Sequence, residues 1–290
     1  MYLLLRRRNF VARQIQELQT NLIMKLSALI TSYNQKQYLV DAIESVLSQT
    51  HQPNEVIVID DASTDGSQEQ IKAYASQYPD LIVPILRTTN GGVAVARNEA
   101  LDSVRGDLVS YMDGDDLWRE DKLQWEVQRM CETDSSVRWV YSMCISVNEV
   151  GRPIAPFVRR FDGSEGSILF ELLMHDMTLY SWTAETSLLR EVGCFDPTLE
   201  IFEDWDYKIR MARTAEIAWV PRATVFYRRH QNGLSNSNQW VFLRNLWRVY
   251  RKHEQVIQTL PLSEKRAVLK RKWRDYRQYL KDGLLSKEWL

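Results

Sequence analysis

The feature that leaves the fewest folds open is an alternation in the first 115 residues. Four short apolar runs, LSALIT (26–31), EVIVID (55–60), LIVPIL (81–86) and DLVSYM (107–112), are separated by segments whose apolar residues recur at helical spacing. After the first run, Leu39, Ile43, Val46 and Leu47 share a helical face, and His51, Gln52 and Pro53 end that helix. EVIVID is β-branched and nearly all apolar, as a parallel strand covered on both faces requires. DASTDGS then opens a helix to about Tyr78. Pro84 cannot donate to a ladder, which favours a sheet edge or strand end, and Asn90, Gly91 and Gly92 turn into a helix over 93–104. The pattern predicts an α/β domain with a mostly parallel sheet, whose ligands sit outside the strands' C-terminal ends where the strand order switches. Asp60, Asp61 and Asp113 fall at those ends.

The second half is mixed. WVYSM (139–143) reads as a strand, 167–174 as a helix, 205–214 as a helix, and IAWV and ATVFY as two strands. Residues 151–166 form a Gly-, Pro- and Arg-containing loop of the kind that covers a site. Residues 239–290 hold two or more amphipathic helices divided near Pro261, with 13 Lys and Arg against 5 Asp and Glu. This tail of about +8 and a body of about −9 suit a body that holds cations and a tail that meets an anionic surface, either a membrane or the body itself. Residues 1–23 read as a polar, weakly amphipathic extension, with Met24 directly before the first strand. No run approaches the ~18 apolar residues of a membrane span. Cys131, Cys144 and Cys194 form no CxxC pair, so neither a disulfide framework nor a zinc site is indicated, and a reducing cytoplasm is expected.

Three carboxylates stand within four residues at the end of the fourth run, in MDGDDLW. Crowded carboxylates need a compensating cation. Asp113 and Asp115, two apart after a strand, can face one metal ion, and their hard oxygens suit Mn2+ or Mg2+, which also accept phosphate oxygens. An EF-hand is excluded, because the sixth loop position is Trp118 and the twelfth Gln124. A haloacid dehalogenase phosphatase would also place Asp-x-Asp after a strand, but here three βα units come first. The bland reading is that Asp115 or Asp116 caps a helix beginning near Leu117. That accounts for Asp116 better than for Asp113.

Four segments in order, ALITSYN with YLVDAIESVLSQT, EVIVIDDASTDGS, GGVAVARNEAL with the D-x-D, and GCFDPTLEIFEDWDYKIRMA, closely resemble family 2 glycosyltransferases over 25–230. The resemblance implies the GT-A fold: a Rossmann-like, mostly parallel sheet flanked by helices, here with a C-terminal helical appendage. It divides residues 24–238 into a nucleotide-sugar half (24–116) and an acceptor half (117–238), followed by the tail. By resemblance Thr31 and Tyr33 line the nucleotide base, Asp61 bonds the uracil edge with Asp60 close by, and Arg97 lies near the diphosphate with Gly114. Asp113 and Asp115 bind the metal, and His230 completes that site or touches the phosphates. Asp204 is the implied catalytic base, with Glu203 and Asp206 as competitors; Trp182, Thr183 and Trp205 approach donor or acceptor. The family's usual glycine after the paired aspartates is Ala62 here.

The expected function is a metal-dependent inverting transfer of a sugar from a nucleotide-sugar donor, UDP-linked by preference, to a hydroxyl of a glycan or lipid-linked acceptor in polysaccharide biosynthesis. The tail's Trp240, Trp247, Trp273 and Trp289 are suited to peripheral contact with anionic lipid at the inner face of a membrane. No nucleic-acid partner is expected. The competing reading is a catalytically silent module that binds nucleotide or glycan, against which the D-x-D and Asp204 together argue. A sugar nucleotidyltransferase would need a Gly-rich basic loop after the first strand, where TSYNQKQYL has no glycine.

Overall fold

A computed structural model describes residues 24–154, 165–174, 181–231 and 239–285. The 1–23 extension, most of the 151–166 loop and Trp289 lie outside the described residues. The first half runs β1 (Leu26–Ser32), α1 (Lys36–Leu47), β2 (Glu55–Asp60), α2 (Ser67–Gln77), β3 (Ile82–Leu86), α3 (Val93–Asp102) and β4 (Leu108–Asp113). It continues through β5 (Leu117–Trp118), α4 (Lys122–Glu132), β6 (Val137–Val147), α5 (Leu169–Met174), β7 (Trp182–Glu185), α6 (Thr186–Val192), α7 (Glu203–Thr214) and β8 (Glu216–Arg228). Helices α8 (Gln239–Lys252), α9 (Glu254–Thr259) and α10 (Leu262–Leu285) close the described chain.

One eight-stranded sheet has the order β3-β2-β1-β4-β7-β6-β8-β5. The four apolar runs form its parallel half, with Pro84 on the edge strand β3. β1 pairs with β2 on one side and β4 on the other, so the strand order reverses there and opens a crevice at the C-terminal ends of β1 and β4. Beyond β4 the sheet is mixed: β7 runs antiparallel to both β4 and β6, and β6 runs parallel to β8.

Alternation of side chains sorts the core into two layers. Leu26, Ala28, Ile30, Val56, Val58, Leu108 and Met112 face α1, α2 and α4. Leu29, Ile57, Ile59, Val109 and Tyr111 face α3 and the helices of the second half. The basic tail joins this second layer, since Leu246, Val249, Tyr250, Ile257 and Val268 belong to it.

Two local expectations are corrected. No helix begins near Leu117: Leu117 and Trp118 pair with Phe226 and Val225 as β5, and the helix starts at Lys122. IAWV and ATVFY are not two strands but one, β8, which carries the exposed Pro221 and keeps pairing with β6 through register shifts at Ser142 and Met143. A proline is tolerated where a bulge frees its position from the ladder.

Candidate active site at the strand switch

The parallel half ends in three turns around the crevice. Asp60 is fully buried and accepts from Ser63 N–H (2.8 Å) and Gln68 Nε2 (2.9 Å), pinning its own turn. Asp61 accepts from Gly91 N–H (3.0 Å), Gly92 N–H (2.8 Å) and the Arg87 guanidinium. Its carboxylate thus ties the β2 turn to the glycine turn that opens α3. Between these loops Ala62 takes φ 65°, Asn34 after β1 takes 52°, and Phe202 before α7 takes 68°. Each of these left-handed non-glycine residues lies in a turn next to a strand end or helix start, and Asn34 lines the cleft beside His230. Tyr33 is 49% exposed, so core packing does not hold its ring.

Asp113 ends β4. Its Oδ1 accepts from Thr31 Oγ1 (3.0 Å), Arg97 Nη2 (3.0 Å) and the Tyr111 hydroxyl. Thr31 therefore braces Asp113 from the next strand. Gly114 is pressed against β1, its N–H donating to Thr31 O at 2.8 Å. A Cβ there would lie 2.7 Å from Gln35 Oε1 and 2.8 Å from Thr31 O, so only glycine lets the D-x-D approach this closely.

Asp115 faces the other way round the turn, 2.8 Å from His230 Nε2. Asp116 explains how His230 gets there: fully inside the protein, it accepts the Arg228 N–H at 2.9 Å and so fixes the end of β8 two residues earlier. Burial, with Asp115 and Asp113 adding to it, pushes the Asp116 carboxyl well above the usual carboxylate range. His230 also tilts against Tyr38 (4.9 Å) and forms one wall of a cleft of about 510 Å³ that Asn34, Lys36, Gln37, Asp65 and Gln70 complete.

Arg97 joins the D-x-D to the E-D pair. Only 5% exposed, it donates from Nε to Tyr111 Oη (2.6 Å), from Nη2 to Asp113 and from Nη1 to Glu203 Oε1 (2.5 Å). Burial alone would lower its pKa, but Tyr111, Asp113, Glu203 and Asp204 outweigh this and raise it. Two neighbouring carboxyls at the start of α7 are driven apart by burial of one and by Lys208 beside the other. Glu203 is buried, which lifts it to about 7 against the opposing pull of Arg97. Asp204 also meets desolvation, but Lys208 and Arg97 more than offset it and hold it below its ordinary value. The Asp204 side chain is 38% exposed, whereas that of Glu203 is 7% exposed. The open, ionised partner is Asp204.

Three expected acceptor residues do not reach the crevice. Trp182 is 4% exposed and stacks between Tyr111 (5.9 Å) and Tyr207 (6.5 Å). Thr183 is fully buried and donates to Glu126 Oε2 at 2.6 Å. Trp205 donates from Nε1 to Leu172 O (2.7 Å) and packs edge-on to Tyr250. All three are core. Asp206, the other competitor for the base, is fully buried and bonded to His253, Lys252 and Arg210. Tyr111 and Lys208 were not foreseen. Each had a signal: Tyr111 lies two residues before Asp113 on one strand face, and Lys208 lies four after Asp204 on one helix face.

Residues 27–192 match the family model "Glycosyl transferase family 2". The chain is 27% identical over 238 residues to the putative teichuronic acid biosynthesis glycosyltransferase TuaG of Bacillus subtilis, covering 82% of this chain and 91% of that protein. Among solved structures, S. aureus TarS 1-349 in complex with UDP-GlcNAc superposes with a TM-score of 0.65 at 20% identity, over 84% of this chain and 69% of that one. This chain spans 42% of the longer TarS chain. The mannosyltransferase PcManGT from Pyrobaculum calidifontis, in complex with GDP-Man and Mn2+, gives 0.59 at 18%, over 92% of this chain and 78% of that one. The architecture is the GT-A fold that the four motifs led us to expect. With the family model matching more than half of the sequence, the chain belongs to glycosyl transferase family 2.

Proposed function

We propose that this protein is an inverting, metal-dependent glycosyltransferase that moves a sugar from a UDP-linked donor to a hydroxyl of a glycan or lipid-linked acceptor in polysaccharide assembly. The carrying observation is the buried Arg97, which bonds Asp113 and Glu203 at once and so joins the D-x-D at the strand switch to the start of α7, where Asp204 follows Glu203. The neighbours in complex with UDP-GlcNAc and with GDP-Man and Mn2+, and the relative TuaG, support this reading.

The donor set fits a hard divalent ion. Asp115 and His230 offer one oxygen and one nitrogen at the same point, and no three His, Cys, Asp or Glu side chains among the described residues could hold an ion alone. Mn2+ and Mg2+ suit that arrangement, since they complete their shells with water and phosphate oxygens. Such an ion would neutralise the charge gathering on the departing diphosphate.

The chain's own residues do the rest. Tyr33 offers an exposed ring to the base, and Asp61, buried and bonded to Arg87, Gly91 and Gly92, holds the two turns on either side of that position. Asp204 takes the proton from the acceptor hydroxyl as that oxygen bonds the anomeric carbon. The bond from that carbon to the diphosphate oxygen breaks, and UDP leaves with the electron pair. Glu203, sealed under Arg97, positions rather than reacts. Residues 24–116 serve the nucleotide-sugar and 117–238 the acceptor. On the tail, Trp240 and Trp247 are 58% and 44% exposed on one face of α8, with Arg251 after them, a surface suited to anionic lipid.

Donor turnover tests the assignment. Hydrolysis of a panel of UDP-sugars should proceed with the wild type and Mn2+ and fall by at least ~100-fold in Asp204→Asn. Equal rates in both would leave the silent binding module as the better reading.

A further inference from the structure

Lysine is among the residues least often buried. Lys208, the sixth residue of α7, is 2% exposed. Its Nζ lies 2.8 Å from Asp204 Oδ2, one helical turn back on the same face. The second carboxylate oxygen, Oδ1, accepts the Trp205 N–H at 2.8 Å. Both oxygens of the group proposed as the base are therefore held by the protein, while its side chain stays 38% exposed.

We infer that Lys208 is a positioning residue for the base: its ammonium clamps Oδ2 so that Asp204 stands in one orientation as an anion facing the acceptor. This rests on the reading of Asp204 as the base. Among the described residues, the charged groups that act on that carboxylate are Lys208 and Glu203 from α7 and Arg97 from α3, with Asp113 bonded to Arg97. Arg97 is divided between Asp113 and Glu203, whereas Lys208 bonds Asp204 itself. Removing it leaves a partly buried carboxylate next to Glu203, which favours the protonated form.

The test is the pH profile of donor hydrolysis by the full chain with Mn2+, using whichever UDP-sugar the wild type turns over fastest. In Lys208→Met the acid limb of kcat should move up toward the ordinary carboxylate range. At neutral pH kcat should drop about tenfold while KM for the donor changes less than about twofold. Lys208→Arg, which keeps the cation, should restore the wild-type limb. An unmoved limb in Lys208→Met, with Asp204→Asn still inactive, overturns the inference and leaves the base assignment standing. Full activity in Asp204→Asn overturns both. Should the methionine variant fail to unfold cooperatively, Lys208→Arg alone decides: a limb displaced from the wild type contradicts the clamp.

Discussion

Single atoms set the limits of this site. At Gly114 a methyl group would meet the backbone oxygen of Thr31 at 2.8 Å, and backbone cannot yield as a side chain can. Gly114→Ala should therefore cost about 1–3 kcal/mol in thermal unfolding and weaken UDP binding, because β4 must move off β1. Ala62, at φ 65°, is the opposite case: Ala62→Gly should raise stability by about 1 kcal/mol, read as a higher denaturation midpoint. At this scale the sequence was informative where charge and order coincide. Arg97 bonds Asp113 and Glu203, and His230 bonds Asp115, because each of these carboxyls follows a strand end or opens a helix. It was misleading for Trp182, Thr183 and Trp205, because a motif position says nothing about which way a side chain faces. Tyr111 and Lys208 escaped notice because their roles come from partners, and only the fold supplies partners.

At the level of elements, α7 is fixed from below by the tail. The Asp206 carboxylate accepts from His253 Nε2 (2.9 Å), Lys252 Nζ (2.9 Å) and Arg210 Nε (3.0 Å), locking α7 to the junction of α8 and α9. Burial would raise its pKa, but these partners prevail and lower it. A carboxylate depressed in the folded state adds stability that is complete above its unfolded pKa of about 3.9 and is lost as pH falls through the folded value. Urea midpoints should accordingly fall more steeply below about pH 4 in the wild type than in Asp206→Asn. His253→Ala should cost about 2–3 kcal/mol at pH 7, because a buried charge loses a donor. Elements in the parallel half were legible from apolar runs and turn residues. β8 was not, since Pro221 looks like a break unless the bulged pairing with β6 is known.

Across the whole molecule, charge and packing agree. The acidic body meets its basic tail through Lys252 with Asp196 (2.8 Å) and through Arg244 with Glu200, so part of the tail's charge is answered internally. The same helices bury Leu243, Leu246, Val249, Tyr250, Ile257 and Val268. At about 1.5–3 kcal/mol for each such side chain, they rival a typical net stability of about 5–15 kcal/mol. A chain ending at residue 238 should show no cooperative melt by circular dichroism. The most direct test of the central claim, that Asp115 and His230 share a divalent ion with a nucleotide diphosphate, is calorimetric titration of the intact protein with UDP, with and without Mn2+. The account predicts binding that Mn2+ tightens at least about tenfold in the wild type, with that gain abolished in Asp115→Asn. UDP affinity that is indifferent to Mn2+, or a metal gain that survives the loss of Asp115, would contradict it.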